Sequence, residues 1–136
     1  MELKRRSAGS AVYDYPVELV WRSISNDKNA KIEPIDDETF NAAPPENVIY
    51  TRAVELKTNE LFRLQMKSRR FEADWQFTLV PLAACRTRLE ASVSVTYNSM
   101  KDYLLAGAGG GVHGEIRIFL RSVGDKLKKS VKAPQG

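Results

Sequence analysis

The stretch GEIRIFLRSVGDKLKKSVK, residues 114–132, is the part of the sequence that decides the fold. Its apolar residues recur at the spacing of an amphipathic helix and form one stripe of Ile116, Phe119, Leu120, Val123, Leu127 and Val131. The opposite side of this predicted helix is basic, with two acids, Glu115 and Asp125, against the bases Arg117, Arg121, Lys126, Lys128, Lys129 and Lys132. This one segment therefore carries the whole formal net charge of the chain, +4.

Upstream of that helix, apolar and polar residues alternate with the period of two that is typical of strands, at 48–56, 61–68, 71–82 and 86–97. Residues 7–14 predict a first strand, and Pro16 opens a short helix with the apolar stripe Val17, Val20, Trp21 and Ile24. A sheet with one apolar face must cover that face, and only the last helix offers a long enough stripe. The sequence thus predicts an α+β fold in which a curved antiparallel sheet wraps around the C-terminal helix.

The 136 residues predict a single domain, with residues 1–6 and 133–136 as flexible tails. Residues 27–47 are rich in turn signals, Ser99 to Ala106 predicts a turn of helix, and Gly107 to Gly114 predicts a flexible stretch. No apolar run approaches the roughly 20 residues that cross a bilayer. The basic start lacks the apolar segment of a signal peptide, so we expect a cytoplasmic protein, with a removed signal as the alternative.

The cysteine and histidine content restricts the chemistry of any site. Cys85 is the single cysteine and His113 the single histidine, so the sequence predicts no internal disulfide, no metal site and no cofactor. Gly109, Gly111 and Gly114 match the G-x-G-x-x-G spacing of dinucleotide sites in letters only, since no strand follows them. The amides at this helix start, next to His113, could hold an anionic headgroup. The alternative is a hinge or a lid.

Three parts of the sequence resemble the START-like, or Bet v 1-like, superfamily (SRPBCC), which includes polyketide cyclases and lipid-transport proteins. The run YPVELVW, residues 15–21, is similar to the entry to the first helix of that superfamily. The segment WQFTL, residues 75–79, with Pro81 and then RTRL, residues 86–89, resembles one of its strand pairs. Phe119-Leu120 fits its C-terminal helix. The resemblance implies a helix-grip fold with an internal cavity, in a superfamily that shares no catalytic residue set.

Members of the superfamily bind sterols, lipids, quinones or polyketides, and some are cyclases or chaperone cofactors. The resemblance and the strand parity together predict a hydrophobic or amphipathic ligand between the last helix and the sheet. The predicted ligand-binding residues are Tyr50, Arg52, Met66, Trp75, Phe77, Tyr97, Val112, Ile116, Phe119 and Leu120. Arg52 interrupts an otherwise apolar face, so it should meet a carboxylate, a ligand anion or the cavity mouth. The alternative is that these side chains fill a solid core.

Two further hypotheses stay open. A polyketide cyclase or dehydratase would use the same pocket, with His113 and Arg52 as candidates for catalysis, although the sequence sets no nucleophile or carboxylate beside the histidine. The sequence favours a binding protein over an enzyme. An interaction module would use the basic helix face on an anionic membrane surface or another macromolecule. Phe119, the one aromatic residue of this segment, belongs to the apolar stripe and not to the basic face, which argues against nucleic acid. The alternative is a solvated helix face.

Overall fold

The computed structural model describes residues 3–25, 38, 42, 44–46, 48–108 and 111–132, without the side chains of residues 25, 106–108, 111–113 and 130–132. In chain order the elements are β1 (Lys4–Tyr13), α1 (Val17–Ser25), β2 (Tyr50–Lys57), β3 (Leu61–Lys67), β4 (Phe71–Ala83), β5 (Arg86–Tyr97), α2 (Met100–Ala108) and α3 (Gly111–Lys132). This order confirms the predicted α+β fold. The first strand begins three residues earlier than predicted, so residues 4–6 belong to the sheet and not to a flexible tail.

The described strands form one antiparallel, curved sheet in the order β1-β5-β4-β3-β2. Strands β2 to β5 are a meander, as their short links predict, and β1 joins it by pairing with β5. The side chains alternate between two faces, because successive residues of a strand point in opposite directions. We call the apolar face that α3 covers the inner face, and the polar opposite face the outer face.

The core lies between the inner face and the apolar stripe of α3. Ile116, Val123 and Leu127 of α3 are almost completely buried against the inner face. Helix α1 closes one end of the core through Val20, and Thr87 of β5 is buried beside it. The Thr87 hydroxyl donates a 2.9 Å hydrogen bond to the carbonyl of Tyr15, which satisfies this buried polar group.

The described part of the predicted flexible stretch, residues 107–108 and 111–114, is helical. Helix α2 extends to Ala108 and α3 already begins at Gly111. Ser99 caps α2: its hydroxyl oxygen accepts a hydrogen bond from the amide of Asp102 and donates one to the Asp102 carboxylate. Glycine disfavours a helix by only about 1 kcal/mol per residue, so a capped helix and its packing can outweigh several glycines.

Candidate functional site

A pocket of about 440 Å³ lies at one end of the inner face, under α2 and the first turns of α3. Strands β3 to β5 supply its floor. Its lining residues are Ile49, Met66, Arg70, Phe71, Ala73, Trp75, Val95, Tyr97, Asp102, Leu105 and Glu115. This volume falls within the range of roughly 300–1,000 Å³ that is common for small-molecule sites.

The middle of the inner face is solid. The rings of Phe77 and Phe119 are 4.8 Å apart, and Trp75 stacks on Phe77 with ring centroids 5.8 Å apart. Phe62 continues the cluster, because it contacts both Phe77 and Trp21 of α1. These aromatic side chains fill the space between sheet and helix. Among the described residues of the inner face, the pocket lies at the end of the sheet that faces α2, and Trp75 belongs both to this aromatic cluster and to the pocket lining.

Tyr97 brings a hydroxyl group into the otherwise aromatic and aliphatic floor of the pocket. Burial raises the pKa of the Tyr97 phenol, Glu115 and Tyr103 raise it further, and the guanidinium of Arg5 acts in the opposite direction. The net direction is upward, so the phenol is protonated at neutral pH. It can donate a hydrogen bond to a carbonyl or an anionic oxygen of a ligand.

Arg5 fastens α2 over this pocket. Its guanidinium carbon lies 4.1 Å from the centre of the Tyr103 ring, and Nη2 donates a 3.3 Å hydrogen bond to the Tyr103 carbonyl. The Tyr103 ring also meets the edge of Tyr97, with centroids 5.9 Å apart. The Nε atom of Arg5 is buried and has no hydrogen-bond partner among the described residues. The Arg5 side chain therefore connects strand β1 to helix α2 by stacking on the Tyr103 ring.

The predicted site residues separate into several groups. Met66, Trp75 and Tyr97 line the pocket. Phe77, Ile116 and Leu120 are buried in the solid core, and Phe119 packs against that core through Phe77. The backbones of Val112 and His113 belong to α3, but their side chains lie outside the described residues, so their predicted roles stay predictions.

Tyr50 and Arg52 lie on the outer face, which corrects the predicted inward orientation. Arg52 pairs with Gln65 in the β2–β3 register, and its Nε donates a 3.2 Å hydrogen bond to the side-chain oxygen of Gln65. The cause is a β-bulge between Ala53 and Glu55. An extra residue in one strand reverses the alternation beyond it, so parity counted from Leu56 assigns the earlier residues to the wrong face.

The pocket also contains residues that the predicted set does not include. Strand parity also indicates Phe71, Ala73 and Val95, since they share the apolar faces of β4 and β5 with Trp75, Phe77 and Tyr97. Asp102, Leu105 and Glu115 come from two helices. Their meeting depends on how α2 folds back over the sheet, and no local pattern encodes that.

Other kinds of site find little support in the described part of the chain. It contains no cluster of three or more His, Cys, Asp or Glu side chains arranged to hold a metal ion. None of the described helices combines the length and the apolar character that a membrane-spanning segment needs. Cys85 is exposed in the turn between β4 and β5 and does not belong to the pocket lining.

Solved structures with the same architecture identify the fold. The Zhui aromatase/cyclase of Streptomyces sp. R1128 superimposes with a TM-score of 0.68 at 13% identity, over 98% of this chain and 99% of that one. A point mutant of norcoclaurine synthase from Thalictrum flavum gives 0.66 at 10% identity, over 97% and 99%. A START superfamily protein of Mycobacterium smegmatis gives 0.65 at 11% identity, over 91% and 97%. No protein-family model and no curated protein sequence matches this chain.

The chain therefore has the START-like, or Bet v 1-like, helix-grip fold, as the sequence motifs predict. The likeness extends over almost the whole chain and over almost the whole of each of these structures. At such low identity it identifies the fold alone. The ligand and the chemistry depend on the residues of the pocket itself.

Proposed function

We propose that this protein binds a hydrophobic or amphipathic small molecule, such as a lipid, a quinone or a polyketide, in the pocket under α2. The observation that carries the proposal is the pocket's composition. Phe71 and Trp75 give it aromatic walls, Met66 gives it an adaptable one, and Tyr97 supplies a hydroxyl group. Apolar walls with a few fixed polar groups are typical of sites that hold small organic molecules.

The charged groups of the pocket favour an amphipathic ligand over a purely apolar one. Arg70, Asp102 and Glu115 contribute to the lining, and Arg70 and Glu115 are exposed. A polar end of the ligand would meet these groups and water, while its apolar body would lie on the floor formed by β3 to β5. The solid aromatic cluster at Phe77 limits how far such a body can extend along α3.

Tryptophan fluorescence can test this proposal directly, because Trp75 lines the pocket and Trp21 lies in the core beside Phe62. The variant Trp21→Phe leaves Trp75 as the single tryptophan, so selective excitation of tryptophan reports on the pocket. Titration with a saturated fatty acid, a quinone and a flavonoid-type polyketide should then change the emission in a saturable manner for at least one probe. An unchanged emission spectrum with every probe would count against the pocket as a binding site.

A matched pair of variants tests whether binding occurs in this pocket. Ala73 is buried and lines the pocket, so Ala73→Leu adds atoms to the open volume. Ala8 is exposed on the outer face, so Ala8→Leu adds the same atoms elsewhere. We expect Ala73→Leu to weaken binding by roughly tenfold, since overfilling a site costs about 1–3 kcal/mol. Equal weakening by both variants would contradict the proposed location.

An enzyme of cyclase type is the second candidate, favoured by Tyr97 and Glu115 lining one pocket, with the Arg5 guanidinium stacked on the Tyr103 ring that contacts Tyr97. A protonated phenol beside a cation can polarise a carbonyl, and the carboxylate can accept a proton. The variant Tyr97→Phe should then abolish turnover of a poly-β-carbonyl substrate while the fluorescence titration stays intact. A wild-type protein that binds such a substrate and leaves it unchanged would exclude this candidate.

A further inference from the structure

Large apolar side chains face solvent in the elements that line the pocket, two of them in the lining itself and two next to lining residues. Ile49 and Leu105, which both line the pocket, are 50% and 59% exposed. Leu104 is the neighbour of Leu105 on α2 and is 60% exposed, and Ile118 of α3 is 71% exposed. We call these four residues the apolar rim. Single exposed apolar residues are ordinary, but a group of them around one opening marks an interaction site.

The rim forms one surface because its elements meet at the pocket. Leu105 and Glu115 line the same cavity from α2 and α3. Ile118 follows Glu115 by three residues, so the two side chains lie on one side of α3, one turn apart. Ile49, the residue before β2, completes the surface, because it lines the cavity as well.

Basic residues border the rim. The β3–β4 turn carries the exposed Arg69 and Arg70, and Asn98 ties this turn to the start of α2 by donating a 2.6 Å hydrogen bond to the Arg69 carbonyl. Lys101 is exposed on the first turn of α2, and Arg121 is exposed one turn after Ile118. Nearby acids are Asp102, which bonds to Ser99, and Glu115.

We infer that the apolar rim docks on an anionic membrane surface, with Leu104, Leu105 and Ile118 inserted among the headgroups. Apolar side chains bordered by lysine and arginine are the composition by which proteins bind the interface of acidic bilayers. The charges also select this occupant over a second copy of the chain, because two identical basic borders would repel each other. The inference goes beyond the proposed function and holds whatever the pocket contains.

Flotation with vesicles tests the docking surface. Wild-type protein should float with phosphatidylcholine vesicles that contain phosphatidylglycerol, and should bind weakly to vesicles of phosphatidylcholine alone. The variant Leu104→Gln/Ile118→Gln removes two rim residues that are not part of the pocket lining. It should reduce the bound fraction by roughly tenfold, because the apolar contribution to interfacial binding scales with buried area. Its emission titration with the pocket probes should be unchanged, which separates this test from that of the proposed function.

Matched controls exclude other surfaces. Val12 and Leu82 are each 45% exposed on the sheet, away from the pocket lining, so Val12→Gln/Leu82→Gln should float like the wild type. Arg69→Glu/Lys101→Glu should abolish the preference for anionic vesicles, whereas Lys128→Glu/Lys129→Glu on the distal part of α3 should retain most of it. Loss of flotation only in the Lys128/Lys129 variant would overturn the inference. So would a wild-type protein that never floats, or one whose rim mediates self-association in sedimentation velocity instead.

Discussion

A Cβ atom on Gly9 would lie 2.8 Å from Cγ2 of Ile116, so the backbone of β1 and helix α3 are in direct contact at this point. Gly9 is paired with Ala91 of β5, another small residue on the inner face. Ile116 is fully buried above them. The depth at which α3 sits in the sheet is thus set by the absence of a side chain at position 9.

Gly9→Ala should destabilise the protein by about 1–3 kcal/mol, because the new methyl group forces α3 or Ile116 to move. Ile116→Leu, which lacks the Cγ2 methyl group, should recover part of that loss when combined with it. Gly114→Ala is the matched control, since a Cβ there meets nothing within 4 Å. Urea unfolding gives the free energy of unfolding of each of these variants. A wild-type midpoint for Gly9→Ala would show that α3 is not held at this distance.

Tyr13 predicts a pH-dependent contribution to stability. Its hydroxyl donates a 2.6 Å hydrogen bond to the Leu120 carbonyl, and burial raises its pKa to about 12. The unfolded chain loses the phenolic proton near pH 10, before the folded chain does. The contribution of Tyr13 to the free energy of unfolding should therefore be fully present below pH 10 and be lost as the pH rises from about 10 to 12. Tyr13→Phe should show a smaller decline over this interval in urea unfolding at stepped pH, and equal declines would contradict the assignment.

The aromatic pair Phe77 and Phe119 should behave as part of the core and not as a ligand wall. Phe77→Leu, Phe119→Leu and the double variant form a thermodynamic cycle, for which we expect a coupling energy of about 0.5–1.5 kcal/mol at the 4.8 Å ring separation. Phe77→Arg should unfold the protein, since it buries an unpaired charge at a position that is 5% exposed. A folded Phe77→Arg protein would mean that this region contains open volume.

Arg5 should control how tightly α2 closes the pocket. A lysine cannot reproduce both the stacking on Tyr103 and the planar hydrogen bonding of the guanidinium. Arg5→Lys should therefore accelerate amide hydrogen exchange across residues 100–108 by roughly fivefold or more, with little change in β4 and β5. Arg6→Lys, the same exchange of residues on the outer face, is the control. Identical hydrogen-exchange profiles for the two variants would contradict the prediction that Arg5 holds α2 over the pocket.

Arg52→Ala should leave binding in the pocket unchanged, because Arg52 lies on the outer face beside Gln65. We expect a small loss of stability, about 1 kcal/mol or less, for a partly exposed hydrogen bond. The Trp75 emission titration measures binding, and thermal unfolding measures stability. A large loss of probe affinity in the Arg52→Ala protein would indicate that Arg52 lies in the pocket, and would contradict the β2–β3 register.

Most of the architecture could be predicted because it depends on local patterns. The alternation in residues 71–82 and 86–97 gives the two central strands almost to the residue, and the stripe from Ile116 to Leu127 gives the helix that covers them. Each pattern reflects burial on one face, which a strand or a helix expresses within a few residues.

The pocket was harder to predict, because its residues meet through tertiary contacts. Strand parity found Met66, Trp75 and Tyr97, but the same counting failed for Arg52 on the far side of a bulge. The sequence pattern does not indicate Arg5 as a structural residue, because the basic segment around it resembles a flexible tail. Its burial follows only from the pairing of Arg5 with Val95, ninety positions later in the sequence.

The pairing of the first strand with the last has a consequence for biosynthesis. Lys4 pairs with Thr96 and Tyr13 with Thr87, so β1 leaves the ribosome long before its only described partner strand exists. Helix α3, which covers the inner face, is made later still. The nascent chain therefore exposes the apolar faces of β3, β4 and β5 until the residues of α3 have been translated. A helix-grip domain of this kind can complete its fold only after its last helix has emerged, and until then its exposed strands are prone to aggregate.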